Sequence, residues 1–416
     1  MSMPFSRRTD WNVEVNLLES ARLERRQAGL PIADLTASNP TRCGFHYPDD
    51  LLLSLTDPDA FDYDPNPRGS LAAREAVCRY YAEHGAVIAP ASVILTTSTS
   101  EAYSYLFKLL CDPGDAILVP RPCYPLFDFL AAAEVVELTD GAFVYDHGWQ
   151  LDMESLRRSI TPRTRAIVLV HPNNPTGHFT KREEARELAD FCREYQLALI
   201  VDEVFLDYRV EGGSKAGSQP LDSAQSTFLA WDLGILTFVV SGISKIAGLP
   251  QMKAAWLAAT GPGANEALAR LEVLADTYLS MNAPIQCALP KWIEQRAAIQ
   301  QQISARVNAN LVALDCEMRA QAPGQQWLSR LQIEGGWYAT LRIPATELDE
   351  QAAIRLLSNG VYLHPGSFFG MSDSGWLVAS LLTPEVEFRL GIKALLHFFE
   401  VNHNSYEVEG FDQVQV

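Results

Sequence analysis

Between Val93 and Thr260 the chain alternates short, β-branched apolar runs with amphipathic helical stretches. Few folds accept that rhythm. The runs Val93–Thr97, Ala116–Pro120, Ala166–His171, Leu197–Asp202, Thr227–Trp231, Thr237–Ser241 and Ala254–Thr260 are read as strands, and Glu101–Cys111 and Arg182–Tyr195 as helices between them. Apolar runs without polar alternation belong to strands covered on both faces. The expectation is an α/β domain whose mainly parallel sheet is sandwiched by helices. A helical stretch over 265–318, interrupted near Asn282-Ala283-Pro284, leads into a second β-α section at Trp337–Ile343, Asp349–Leu357, Val361–His364, Trp376–Leu382 and Pro384–Glu400. That section is read as a smaller α+β domain. The expected divisions are an N-terminal arm (1–45) contributing to the small domain, a large domain (46–285), a small domain (286–400) and a polar, acidic, poorly ordered tail (401–416).

Charge narrows the partners. With 33 basic and 51 acidic residues the net charge is -18, which argues against nucleic acid or an anionic membrane as the main partner. The N-terminus lacks a signal-peptide core and no run reaches membrane-spanning length. Seven scattered cysteines form no CxxC pair, so neither a disulfide framework nor a metal site is expected, and a reducing cytoplasm is the expected home.

In open parallel sheets, ligands gather beyond the carboxyl ends of the strands. Three notable polar residues fall there: Asn174, Asp202 and Lys245. Lys245 stands in Ser241-Gly242-Ile243-Ser244-Lys245-Ile246-Ala247-Gly248-Leu249-Pro250, just past the run Thr237–Val240. Alone it could snorkel into solvent, or be an amine placed for Schiff-base chemistry. Asp202 ends the apolar run from Leu197, where it needs a donor or positive partner, or caps the next segment. Asn174, in His171-Pro172-Asn173-Asn174-Pro175-Thr176-Gly177, could equally belong to a rigid surface turn.

Taken together, the Asn-Asn-Pro-Thr-Gly, Asp-Glu-Val and Ser-Lys-x-x-Gly-Leu-Pro segments resemble the fold-type-I pyridoxal-phosphate enzymes, specifically the class I/II aminotransferases, over about 35–399. The resemblance implies pyridoxal 5'-phosphate as cofactor, joined to Lys245 as an aldimine, with Lys245 then acting as general base and acid. Asp202 would pair with the pyridine nitrogen, Asn174 would bond the ring's phenolic oxygen, and Tyr124 would stack on the ring or else be a core tyrosine. The phosphate would lie at Ser98, Thr99 and Ser100, where a strand meets a helix N-terminus, or Ser100 would simply cap that helix. Ser244 and Lys253 would complete this site. Tyr63 matches a tyrosine that reaches the partner subunit's phosphate, which implies a homodimer with shared active sites.

Departures from the family pattern limit what carries over. Lys253 stands for a phosphate-clamping arginine and keeps the charge without the bidentate fork. Polar residues replace the usual glycine at Ser98 or Thr99. Gly242 stands for a frequent serine, and Phe205 for a tyrosine that bonds the ring oxygen. Val378 stands where an arginine usually holds the substrate's α-carboxylate. Asn39 and Arg42, near a loop that borders the substrate pocket in relatives, are the candidate substitutes, although Arg42 could be a plain surface arginine; Arg389 lies well inside the final helix and is expected in solvent. The leading reading is an aminotransferase moving an amino group from a donor to a 2-oxo acid or aldehyde. The alternatives are a lyase (C–S β-elimination) or decarboxylase on the same fold, and a noncatalytic protein that retains it.

Overall fold

The computed structural model describes residues 5–210, 226–279, 281–321 and 326–411, with side chains to Val401. Among these residues an eight-stranded sheet forms in the spatial order Val93–Thr96, Ala255–Thr260, Thr237–Gly242, Ala198–Asp202, Thr164–Val170, Ala116–Arg121, Glu137–Tyr145, Trp149–Asp152. Pairing is parallel across the centre and antiparallel around Ala255–Thr260 and at Trp149–Asp152. The central strands are buried on both faces, which is why they read as continuous apolar runs. Val77, Tyr80, Leu188, Phe191 and Trp292 pack one face, and Leu106, Phe107, Phe127 and Leu271 the other.

Two elements differ from expectation. Thr227–Trp231 is not a strand. A 3-10 turn at Phe228–Ala230 replaces it, capped by Thr227, whose hydroxyl accepts from the Leu229 N–H. Its apolar residues serve packing instead, with Phe228 and Trp231 set edge-on against His171. Conversely, Glu137–Tyr145 and Trp149–Asp152 at the sheet margin carry many exposed or half-buried residues, so neither shows an apolar run.

The smaller unit has an antiparallel sheet ordered Ser329–Arg330, Tyr338–Arg342, Trp376–Ser380, His364–Pro365, backed by helices Ala297–Arg319, Asp349–Ser358 and Glu385–Phe411. The N-terminal arm joins it: Ala33–Asp34 pairs in parallel with Val361–Tyr362, and Leu18 and Leu35 enter its core. The boundary set at 285/286 falls inside the helix Ala283–Gln295, whose Leu289, Trp292 and Ile293 pack in the large core. We therefore place the division at Arg296. The final helix continues to Phe411, beyond the expected end at Glu400, and 412–416 of the expected tail lie outside the described residues.

Candidate active site

Six strands of the large sheet run in one direction, and the loops after five of them meet at a cavity of about 240 Å³. Ser98, Thr99, Ser100, Tyr124, Asn174, Asp202, Ser244, Lys245 and Lys253 all line it. The sequence reading missed Tyr338, which enters from the small sheet, and Val204. It named Phe205 only as a departure.

Lys245 sits on a single helical turn, Ile243–Ile246, directly after the central strand Thr237–Gly242. Its carbonyl accepts from the Tyr208 hydroxyl at 2.6 Å, and the Ile246 carbonyl accepts from the Gln300 amide at 2.9 Å. Those anchors fix the backbone, while Nζ lies 5.3 Å from the Trp337 ring centre and 5.9 Å from that of Phe205. Burial lowers the lysine's pKa, and the charge of Asp202 pulls it partly back. Gly242 has a local cause as well. A Cβ there would come within 2.8 Å of the Ala255 Cβ and 2.9 Å of the Ala254 carbonyl oxygen, so a serine does not fit.

Asp202 is buried, with Oδ1 accepting from the Val204 N–H at 3.0 Å and Oδ2 from the Tyr103 hydroxyl at 3.0 Å. Burial raises its pKa to about 6, against the pull of those donors and of Lys245. Tyr103 carries no signal of its own in the sequence, where it stands among the apolar residues Ala102, Leu106 and Phe107 of the same helix.

Asn174 is held by its neighbours. The Asn173 side chain accepts from the Thr176 N–H and hydroxyl, and the Gly177 carbonyl accepts from the Glu334 and Gly335 N–H groups of the small unit. Gly177 has φ +71°, and a Cβ would lie 2.4 Å from the Gly335 carbonyl oxygen, so only glycine permits this approach. Asn174 Oδ1 is buried without a hydrogen-bond partner. Such an atom invites a ligand.

The helix after the first strand begins at Thr99 rather than Glu101, and its cap is Ser98, not Ser100. The Ser98 hydroxyl accepts from the Glu101 N–H, while the Glu101 carboxylate reaches back to the Thr97 N–H and hydroxyl. With the cap supplied by Ser98, the Thr99 and Ser100 N–H groups at the first turn remain open to an anion. Ser244 and Lys253, the latter with φ +52°, line the same cavity.

Other candidates lie elsewhere. Asn39 caps the 3-10 turn Pro40–Arg42 through the Thr41 N–H, Arg42 is exposed, and neither lines the cavity. Arg389 is exposed on the final helix, as expected. Tyr63 is 79% exposed beside a separate surface pocket that includes Asn66 and Gln286. Val378 is buried in the small sheet opposite Thr340.

A second carboxylate lies beside the site. Glu203 is fully buried, accepting from the Thr227 hydroxyl and the Phe228 N–H, and burial raises its pKa from 4.5 to about 7. The folded state thus binds this proton more tightly than the unfolded one, so the stability it contributes is lost as pH rises from about 4.5 through about 7. Glu203→Gln is expected to stabilise the cofactor-free protein at pH 8 by on the order of 1–3 kcal/mol, with the gain vanishing near pH 4. Thermal melts across that range check both the sign and the window.

The family model described as aminotransferase class I and II matches residues 55–390. The chain belongs to this family. The glutamate-pyruvate aminotransferase AlaA of Escherichia coli (strain K12) is 30% identical over 283 residues, 66% of this chain and 65% of that protein. An alanine aminotransferase of Mycobacterium tuberculosis is 32% identical over 283 residues, 65% of this chain and 61% of its own. These matches span less than two thirds of the relatives' own length. Among solved structures, an aminotransferase from Escherichia coli superposes with a TM-score of 0.81 at 22% identity, covering 96% of this chain and 98% of that one. An alanine aminotransferase from Pyrococcus furiosus gives 0.81 at 23%, covering 95% and 100%. At these identities the solved structures establish the fold, and class I and II aminotransferases generally use pyridoxal phosphate. Among the described residues no helix is long and apolar enough to cross a membrane.

Proposed function

We propose that this chain is a pyridoxal 5'-phosphate-dependent aminotransferase that moves an amino group from a donor to a 2-oxo acid or aldehyde. One observation carries the reading: a lysine of lowered pKa shares a cavity with a buried carboxylate and a helix N-terminus whose Ser98 cap leaves the Thr99 and Ser100 N–H groups open. The donor set suits the cofactor. Thr99 and Ser100 offer backbone N–H groups and hydroxyls to a phosphate, with Ser98, Ser244 and Lys253 beside them. Asn174 brings a side-chain amide whose NH2 can donate to the ring's phenolic oxygen, and Asp202 keeps a free lone pair on each carboxylate oxygen.

When bound, pyridoxal 5'-phosphate supplies an aldehyde for the lysine amine and a ring that draws electrons from the bond being broken. Asp202 would hold a proton on the pyridine nitrogen, its carboxylate fixed by Tyr103 and Val204. Tyr124, reaching the cavity after the strand Ala116–Arg121, would cover a ring face. Lys245 would take the proton from the substrate carbon that bears nitrogen and later return it, a role that favours an amine with a pKa brought towards neutrality. Phe205 offers no hydroxyl where relatives have a tyrosine, so the Lys245 linkage should titrate at higher pH than in a tyrosine-bearing relative. The exposed Tyr63 is available to a second copy, which supports a homodimer with shared sites.

The decisive test is cofactor addition to the purified protein, followed by single amino donors. Conversion of the bound cofactor to its aminated form supports transamination. Release of pyruvate and ammonia supports the lyase reading instead, and failure to bind the cofactor overturns both. Tyr103→Phe is expected to weaken cofactor binding roughly tenfold or more, because a hydrogen bond to a charged group is lost. An absorbance titration checks this, and unchanged affinity would remove Tyr103 from the role.

A further inference from the structure

The small unit's segment Glu334-Gly335-Gly336 binds the loops that carry Asn174 and Lys245 to each other. Towards Asn174, the Glu334 and Gly335 N–H groups donate to the Gly177 carbonyl at 3.2 and 2.9 Å. Towards Lys245, the Gly336 N–H donates to the Tyr208 carbonyl at 2.7 Å, and the Tyr208 hydroxyl holds the Lys245 carbonyl. Gly335 leaves no space between the two. A Cβ there would come within 2.5 Å of the Phe179 ring and 2.7 Å of the Tyr208 carbonyl oxygen. The backbone alone therefore joins the two units at this point.

The Glu334 carboxylate adds a second hold. Its Oε2 accepts from the Phe179 N–H at 2.9 Å and from Lys181 Nζ, and lies 3.6 Å from His178 Nδ1. His178 Nε2 meets Glu184 Oε2 at 2.8 Å, and that oxygen also accepts from the Lys181 N–H at 3.2 Å. The side chains of Glu334 and His178 are 16% and 4% exposed, so water screens this network weakly. Hydrogen bonds to an ionised acceptor are also about twice as strong as neutral ones. The carboxylate thus grips the outgoing limb of the Asn174 turn. Backbone bonds transmit the grip, with the Asn173 N–H donating to the His178 carbonyl at 2.9 Å and the Gly177 N–H to the Asn173 carbonyl at 2.8 Å. Asn174 sits inside that closed turn and lines the cavity, while Glu334 stands behind it.

Resting on the cofactor reading above, we propose that Glu334 is a positioning residue, whose carboxylate holds the Asn174 turn where the Asn174 amide meets the phenolic oxygen of the cofactor ring. It acts through Asn174 and touches neither the ring nor the substrate. Without the carboxylate the turn keeps its Gly177 bonds and loses its anchor at Phe179 and Lys181. The units stay joined, and the amide loses its fixed aim.

Equilibrium binding of pyridoxal 5'-phosphate to the full-length protein, followed by absorbance, tests this in a double-mutant cycle. Glu334→Ala should weaken binding about tenfold, and Glu334→Gln, which keeps an acceptor without the charge, about fourfold. In an Asn174→Ala background either substitution should cost less than about twofold. The Lys245–cofactor linkage should titrate at higher pH in Glu334→Ala, because a donor to the ring oxygen has been loosened. In the cofactor-free protein the Phe179 amide should exchange about tenfold faster or more. If Glu334→Ala does not fold, Glu334→Gln runs the same cycle. Binding within about twofold of wild type in both variants, an unchanged Phe179 amide, or a full cost that persists in the Asn174→Ala background overturns the proposal and leaves the cofactor assignment intact. Failure of the wild-type protein to bind the cofactor would instead sink the reading beneath it.

Discussion

Lys245→Ala is expected to lower transamination by a factor of roughly 10³ or more, because one amine both attaches the cofactor and moves the proton. The variant should still fold. Lys245 is anchored through its carbonyl, which the Tyr208 hydroxyl reaches regardless of side chain, and its ammonium is disfavoured by burial. Steady-state rates with a reactive donor, beside a thermal melt, separate the two effects. Retention of activity within tenfold would mean another amine does the work, and Lys253 would be the first to examine.

Asp202→Asn should lower turnover by about 10²–10³, the usual cost of removing one preorganised electrostatic group. Its effect on the cofactor-free protein should have the opposite sign. The folded pKa of Asp202 is raised from 3.8 to about 6, so the stability this group contributes is present at low pH and lost as pH rises through that window. Asparagine avoids the loss. The variant should therefore melt higher than wild type at pH 8, with the difference fading towards pH 4. Loss of both activity and stability at pH 8 would indicate a structural carboxylate instead.

The parts of this molecule legible in the sequence share a physical cause. The central strands are buried on both faces and must be apolar throughout, so their ends, and the polar residues set there, stand out. Lys245, Asp202 and Asn174 were found that way, and the structure brings them to one cavity. The marginal strand Glu137–Tyr145 was invisible because half-exposed residues interrupt any apolar pattern. Thr227–Trp231 misled in the opposite sense, since packing around His171 wants the same residue types as a strand. Tyr103 and Tyr338 have no local signal. A hydroxyl among core residues becomes functional only through a partner distant in sequence, as when Tyr103 meets Asp202. Asn39 and Arg42 looked plausible by proximity in the chain, yet the local turn uses Asn39 as a cap and leaves Arg42 exposed.

Lys245 is the residue expected to take the cofactor. Adding pyridoxal 5'-phosphate, reducing with borohydride and mapping the digested protein by mass spectrometry tests that claim most directly. A stoichiometric adduct on Lys245, absent from Lys245→Ala, is the predicted result. An adduct confined to Lys253 or to surface lysines, or none at all, would contradict it.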